Sequence, residues 1–483
     1  MNVHLIVLVA YALGLMTIGL RLGRYVRGSA DFFVAGRALG PGLIFSTMLA
    51  ANIGGGSTVG ATGLGYASGL AAWWWVGSAA IGSVVLAFWI GPAIRRVAAA
   101  HDLRTVGDYL EFRYSRAVRG VASVLLWIGS LAILAAQLIA LGSILEVVAG
   151  VPFVIGCAIG GLVITSYYTA GGLLTAAWIN VIQLTVKLGG FAIALPIALQ
   201  RVGGWDAIAA LRVTSEPGYW SFWRPETALG LFVTIAPAFV ISPGLLQKIF
   251  GARDDRAVRA GVGLNALGLF LYAGVPVVLG MAAHVMFPDI ADQKLVLPTI
   301  LMRALPPIIG SIGLAAVFSA EVSAADAVLF MLTTSLSQDL YKRFINPAAS
   351  DGRVLQVARL TTVISGTLGV GLAIASGSIV DTLTIFYTLL TVSFFVPILA
   401  GLYIARARTP DALAAIAAGV TGMLVVQAAT GGRGWGALTP ALVGLVAAIA
   451  GFLIVFVMRT RETATAHEER KAREDRKEKT VRS

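Results

Sequence analysis

The run Ala50-Ala51-Asn52-Ile53-Gly54-Gly55-Gly56-Ser57-Thr58 sets three consecutive glycines and three polar side chains inside an otherwise apolar stretch. In lipid every backbone amide needs a partner, so a helix interrupted there survives only where the freed groups line a cavity or hold a ligand. Freed carbonyls suit a cation, while Asn52 and Ser57 can hydrogen-bond a polar solute. Two residues carry charge in equally apolar surroundings, Lys187 and Glu321. A charge near the bilayer centre is costly and is usually functional, with a partner. Lys187 follows Asn180 by seven residues, two helical turns or about 10.5 Å along the same face. This is the chemistry of binding and moving ions, protons or solute. Covalent catalysis finds no support: there is no HExxH and no GxSxG, and His4, His101, His284, His467 and the single Cys157 are scattered.

The elements that must position these residues are membrane helices. Of 483 residues, 58% are hydrophobic and 12% charged, with a mean hydropathy of +0.85. Soluble domains carry about a quarter charged residues, so an all-α integral membrane protein is expected. Apolar stretches of about 20 residues recur, and 56 glycines suit close helix packing. Thirteen segments are predicted: 3–22, 40–66, 71–94, 119–149, 152–168, 175–199, 227–249, 260–286, 307–338, 354–376, 380–404, 411–429 and 437–458. The first has no basic flank or clear cleavage site and reads as a retained helix rather than a signal peptide.

A net charge of +12 is of the size a nucleic-acid binder carries, but its distribution excludes that partner in favour of the lipid bilayer. Lys and Arg crowd alternate loops: Arg21 to Arg37, Arg95 to Arg119, Lys248 to Arg259, Lys342 to Arg359, then Arg406, Arg408 and the tail. The opposite side holds Arg201, Arg212, Arg224, Lys294, Arg303 and Arg433. The positive-inside rule then puts the N-terminus outside the cell membrane and the C-terminus in the cytoplasm. The transmembrane domain is expected over 1–459. A solvated or frayed helical tail follows over 460–483, with no appended soluble domain.

Four local patterns occur in order: Asp31-Phe32-Phe33-Val34-Ala35-Gly36-Arg37; Thr105-Val106-Gly107-Asp108-Tyr109-Leu110-Glu111-Phe112-Arg113-Tyr114; Tyr168-Thr169-Ala170-Gly171-Gly172-Leu173 leading to Trp178-Ile179-Asn180-Val181-Ile182-Gln183; and Asp339-Leu340-Tyr341-Lys342-Arg343. With the thirteen spans, this set resembles the sodium:solute symporter family across nearly the whole chain. The resemblance implies a LeuT-like core of two five-helix inverted repeats, helices 2–6 and 7–11, with one helix before and two after. Each half does open with an interruption, the triple glycine in the second helix and Pro243-Gly244 in the seventh. Paired interruptions are a pointer to a midplane site.

The resemblance implies a secondary active transporter that moves a small polar solute by alternating access and cation symport, with sodium the default coupling ion and no other cofactor. The sodium site it implies uses the carbonyls of Ala50, Ile53 and Ala320 and the hydroxyl of Ser323. Here Ala324 stands where the family carries a second hydroxyl, and Asn180 where it usually carries an aspartate. Both changes weaken a sodium site. The Lys187 ammonium is therefore expected to occupy or border the vacated site and to pair with Glu321, with Asn180 and Asp326 forming a second level. A proton-coupled or sodium-independent carrier built on Lys187 and Glu321 is the alternative; a membrane-embedded enzyme, a channel and a solute sensor rank lower. For the solute, the family analogy points to Asn52, Gly56, Ser57, Thr58, Trp74 in the Trp73-Trp74-Trp75 cluster, Ser242, Pro243 and Tyr387, beside Phe386.

Overall fold

The computed structural model describes the backbone of residues 3–23, 37, 39–210, 218–432 and 434–482, and their side chains except 19–20, 22–23, 167, 169–178, 464 and 466–482. The Asp31 to Arg37 pattern lies outside these residues apart from Arg37, and so do the side chains of 169–178.

In chain order the helices are α1 (Val3–Gly23), α2 (Pro41–Asn52), α3 (Ala61–Ser68), α4 (Trp73–Val85), α5 (Gly91–Ala100), α6 (Val106–Arg113), α7 (Arg116–Ala149), α8 (Phe153–Val202) and α9 (Gly204–Ala209). They continue as α10 (Pro225–Ile241), α11 (Pro243–Phe250), α12 (Asp255–Tyr272), α13 (Gly274–Met286), α14 (Pro307–Thr334), α15 (Asp351–Ser376), α16 (Ile379–Tyr403), α17 (Thr409–Thr430) and α18 (Pro440–Arg482). Among the described residues, ten helical stretches are long and apolar enough to cross a membrane, and Val3–Ile18 and Phe153–Ser166 are shorter apolar helices. The protein is a multi-pass membrane protein. Large apolar side chains such as Leu13, Leu162, Leu271, Leu360 and Ile454 are exposed, as lipid-facing residues are.

Two expected spans appear differently. The helix from Phe153 to Val202 is unbroken, although a straight rod of 50 residues would be about 75 Å long, more than twice a bilayer core. Its two ends pack as separate spans: Cys157 lies against Gly142 of α7, whereas Gly190 lies against Ala316 of α14. Conversely, the stretch Gly56–Ala100 folds back on itself, since Trp75 reaches Gly56. The reversal uses Gly69, at φ +65°, where an added Cβ would stand 2.0 Å from Tyr219 O. Only glycine suits both demands.

Around the centre, α2, α3, α4 and α10 to α13 pack as one group; α7, α8, α14 and α15 pack as a second, with α16 bridging α7 and α10. Both expected interruptions are present. The first separates α2 from α3, which a wide π turn over Gly56–Gly60 precedes. The second is Ser242, at ψ 119°, between α10 and α11. An extended residue followed by proline cannot continue a helix.

On the face rich in basic loops, two of the sequence patterns meet. Thr105 and Asp108 form a capping box at the start of α6. The Thr105 hydroxyl also donates to Asp339 Oδ1 at 2.8 Å. Arg119 bridges Asp108 at 2.9 Å, Glu111 at 3.0 Å and Asp339 at 2.6 Å. Gly107 is there for space, because a Cβ would stand 2.7 Å from Asp339 Oδ1. Arg113 donates to Gly401 O at 2.6 Å and to Ala407 O at 3.2 Å, capping the end of α16. Burial opposes ionisation of Glu111, but the guanidiniums of Arg343 and Arg119 outweigh it and hold its carboxyl below the usual carboxylate range. A depressed carboxyl stabilises the fold fully above its unfolded pKa, and that contribution disappears as the pH falls through the folded value. Thermal unfolding across an acid titration should show this loss, and Glu111→Gln should flatten that limb of the Tm profile.

Candidate transport site

The first interruption starts from bonds that are not made. In a continuous helix Gly54 N would donate to Ala50 O, and Ser57 N to Ile53 O. Instead Ile53 is extended, at φ −93° and ψ 94°. Gly54 N donates to Ser57 Oγ at 3.0 Å, and Ser57 N to Gly54 O at 2.9 Å. Gly55 N donates to Gln137 Oε1 of α7 at 2.7 Å. The carbonyls of Ala50 and Ile53 are released. Close approach, rather than left-handed backbone, demands glycine here: a Cβ on Gly54 would stand 2.4 Å from Ala324 Cβ, and one on Gly55 2.7 Å from Glu321 Oε2.

Lys187 takes up the released oxygens. Its Nζ donates to Ala50 O at 2.8 Å, Ile53 O at 3.1 Å and Ser323 Oγ at 2.6 Å. Ser323 Oγ in turn lies 2.8 Å from Ala50 O and 3.1 Å from Ala320 O. An ammonium has three protons, and each finds an acceptor. Ala50, Ile53, Ala320 and Ser323 thus meet in one cradle with the fully buried Lys187 in it.

Glu321 is not the partner expected for that lysine. No carboxylate lies within 4.0 Å of the ammonium among the described residues. Two positions along α14 turn Glu321 through about 200° from Ser323, which points its carboxyl at the start of α3. There Oε1 meets Thr58 Oγ1 at 2.7 Å, and Oε2 has no hydrogen-bond partner among the described residues. Thr58 Oγ1 also lies 2.9 Å from Gly54 O. A hydroxyl has one proton, which Thr58 shares between Glu321 Oε1 and Gly54 O. Asn180 and Asp326 are buried at 6% and 1% exposure, and Asn180 Oδ1 is without a partner among the described residues.

Beside the cradle lies a cavity of about 80 Å³. Asn52, Gly56, Ser57, Ser242 and Tyr387 line it. Asn52 Nδ2 is held by Asn265 Oδ1 at 3.0 Å, which fixes the amide. Thr58 and Pro243 are not part of the lining, and Thr58 is committed to Glu321. Trp74 is also elsewhere: its Nε1 donates to Phe222 O at 3.0 Å. The next residue, about 100° round the helix, is the tryptophan at the cavity. Trp75 Nε1 donates to Gly56 O at 2.9 Å, and its ring stands 6.1 Å from that of Tyr387. With Phe239 and Phe386 these rings wall the cavity.

The model of the sodium:solute symporter family matches residues 32–419. The chain belongs to that family. The sodium/glucose cotransporter of Vibrio parahaemolyticus is 25% identical over 407 residues, 75% of this chain and 73% of that protein. The sodium/pantothenate symporter of Escherichia coli is 25% identical over 443 residues, covering 88% and 89%. Among solved structures, the substrate-bound outward-open state of a Na+-coupled sialic acid symporter superposes with a TM-score of 0.80 at 17% identity, covering 95% of this chain and 98% of that one. The nucleobase-cation-symport-1 family transporter Mhp1, closed with bromovinylhydantoin bound, gives 0.59 at 15%, covering 90% and 95%. The fold is the LeuT-like one that the motifs implied, and the chain is a secondary active solute transporter.

Two lining residues of this symporter were not singled out from sequence. Gln137 caps the break from α7, with no signal beyond a lone amide in an apolar run. Lys248 was counted with the basic loop that follows it, yet it stands in the last turn of α11 and lines the cavity. Removing the Thr58 hydroxyl strips Glu321 of its one side-chain hydrogen bond among the described residues, a loss worth roughly 1–3 kcal/mol for a buried polar group. Thr58→Val is expected to lower the Tm of the purified protein accordingly, and Thr58→Ser to retain it.

Proposed function

We propose that this symporter-family protein carries a small polar solute without sodium in the cradle, the Lys187 ammonium standing in the cation's place, and that protons drive the cycle. The observation that carries the reading is the set of three hydrogen bonds from Lys187 Nζ to Ala50 O, Ile53 O and Ser323 Oγ. Sodium favours the same hard oxygens. Two unit charges sharing them at about 3 Å would repel strongly, by several kcal/mol even at an effective dielectric of 20. Either the ammonium holds the oxygens, or it gives up its proton or withdraws before a metal ion enters. Glu321, whose Oε1 accepts from the Thr58 hydroxyl, is a second group through which proton movement can be coupled to the break. Opening the break would change the surroundings of both, which is what coupling requires.

The solute is assigned to the cavity walled by Asn52, Ser57, Ser242, Trp75 and Tyr387. Orientation in the cell membrane follows the basic loops, N-terminus outside and C-terminus cytoplasmic. A tag on Ser483 should be labelled by an impermeant reagent only after the cytoplasmic side is opened.

Sodium symport is the second reading. All four expected cradle residues are retained, and the relatives named above are sodium cotransporters. Proteoliposomes given sodium and pH gradients separately distinguish the two. Uptake is expected to follow an inward proton gradient and to persist in sodium-free buffer. Lys187→Ala is expected to lose the response to the proton gradient, and sodium is expected to raise the Tm of Lys187→Ala but not of the parent. Parent uptake that needs a sodium gradient at clamped pH would overturn the proton reading.

A further inference from the structure

The central cavity carries one charge, and that charge lacks a counter-ion. Lys248 lines the cavity from the last turn of α11. Its Nζ donates to Thr47 O at 3.0 Å, its one hydrogen bond among the described residues. No Asp or Glu occurs in the lining, and no carboxylate lies within 4.0 Å of Lys248 among the described residues. An ammonium has three protons, so two of them have no acceptor among the described residues. Lys248 is half-buried, and a cation inside a membrane protein is costly unless something neutralises it.

The backbone leaves that charge uncompensated by any ion. α10 ends and α11 begins at Ser242, in the cavity wall, so the partial charges of the two helix ends offset one another there. A cavity with a lone cation and no acid in its lining is complementary to a negative group.

Beside the neutral polar groups of Asn52, Ser57, Gln137 and Ser242, its wall is apolar and aromatic, from Trp75, Phe239 and Phe386. Drug-sized ligands occupy pockets of about 300–1,000 Å³, so 80 Å³ suits a compact molecule. We propose that the solute is a small carboxylate anion whose charge pairs with Lys248 while its carbon skeleton rests against these rings. The proposal rests on the central cavity being the transport site, as argued above. It adds the charge class of the cargo and the residue that selects it.

The test uses the full-length protein in proteoliposomes with labelled lactate and pyruvate as anions and glucose and glycerol as uncharged probes. Saturable uptake or counterflow of a carboxylate is expected, with its amide competing at least tenfold less well. Lys248→Gln should raise the carboxylate KM at least tenfold, and Lys248→Arg should restore it to within a few-fold. Should Lys248→Gln fail to fold, as judged by its Tm, the arginine variant and the acid-versus-amide comparison decide. Preference for glucose or glycerol, equal competition by acid and amide, or an unchanged carboxylate KM in Lys248→Gln would overturn the proposal and leave the carrier reading standing. Absence of saturable exchange for every probe would overturn both.

Discussion

Two main-chain carbonyls deprived of their helical donors govern the centre of this protein. Ala50 O and Ile53 O lose Gly54 N and Ser57 N, which turn to each other's residues instead. A released carbonyl in an apolar interior needs a positive or protic partner. Lys187 supplies it from α8, and Ser323 from α14. The triple glycine, the Gln137 cap and the Trp75 contact to Gly56 O all serve the same break. Each comes from a different helix, so the geometry of the break reports on how those helices stand relative to one another.

Charge is handled differently at the two levels of the molecule. On the basic face Arg119 is surrounded by Asp108, Glu111 and Asp339. Pairing of that kind is costly to dismantle, since removing one partner strands the others. At the centre, by contrast, neither Lys187 nor Glu321 has an ionic partner among the described residues, and each is held by neutral oxygens, Lys187 by three and Glu321 by the Thr58 hydroxyl alone. Such groups can gain or lose a proton without leaving an opposite charge behind. A permanent structure needs the first arrangement, and a cycle needs the second.

The fold was readable because its signals are long-range and redundant. Glycines in an apolar run, a proline at the matching place in the second half, and ordered loop motifs all pointed one way. That Thr105 would touch Asp339 could not be read, since the two lie far apart in the chain. Lys187 was visible as an intramembrane charge, but its partner was not: depth alone suggested Glu321, while rotation about α14 decided for Ser323. Trp74 and Trp75 differ by one position and therefore by a little more than a quadrant, which periodicity does not resolve for three tryptophans in a row. Lys248 was hidden by company, because a lysine followed closely by Arg253 reads as the start of a basic loop.

The anchoring of α6 contrasts with the joint between α2 and α11. Arg119, at the start of α7, ties α6 to Asp339 in the wide-turned segment that continues α14, and Arg113 ties it to the end of α16. Three scaffold helices therefore share a single brace. Between α2 and α11 one side-chain hydrogen bond, Lys248 to Thr47, spans the joint among the described residues. Parting that joint costs one neutral acceptor, whereas parting the brace strands several charges.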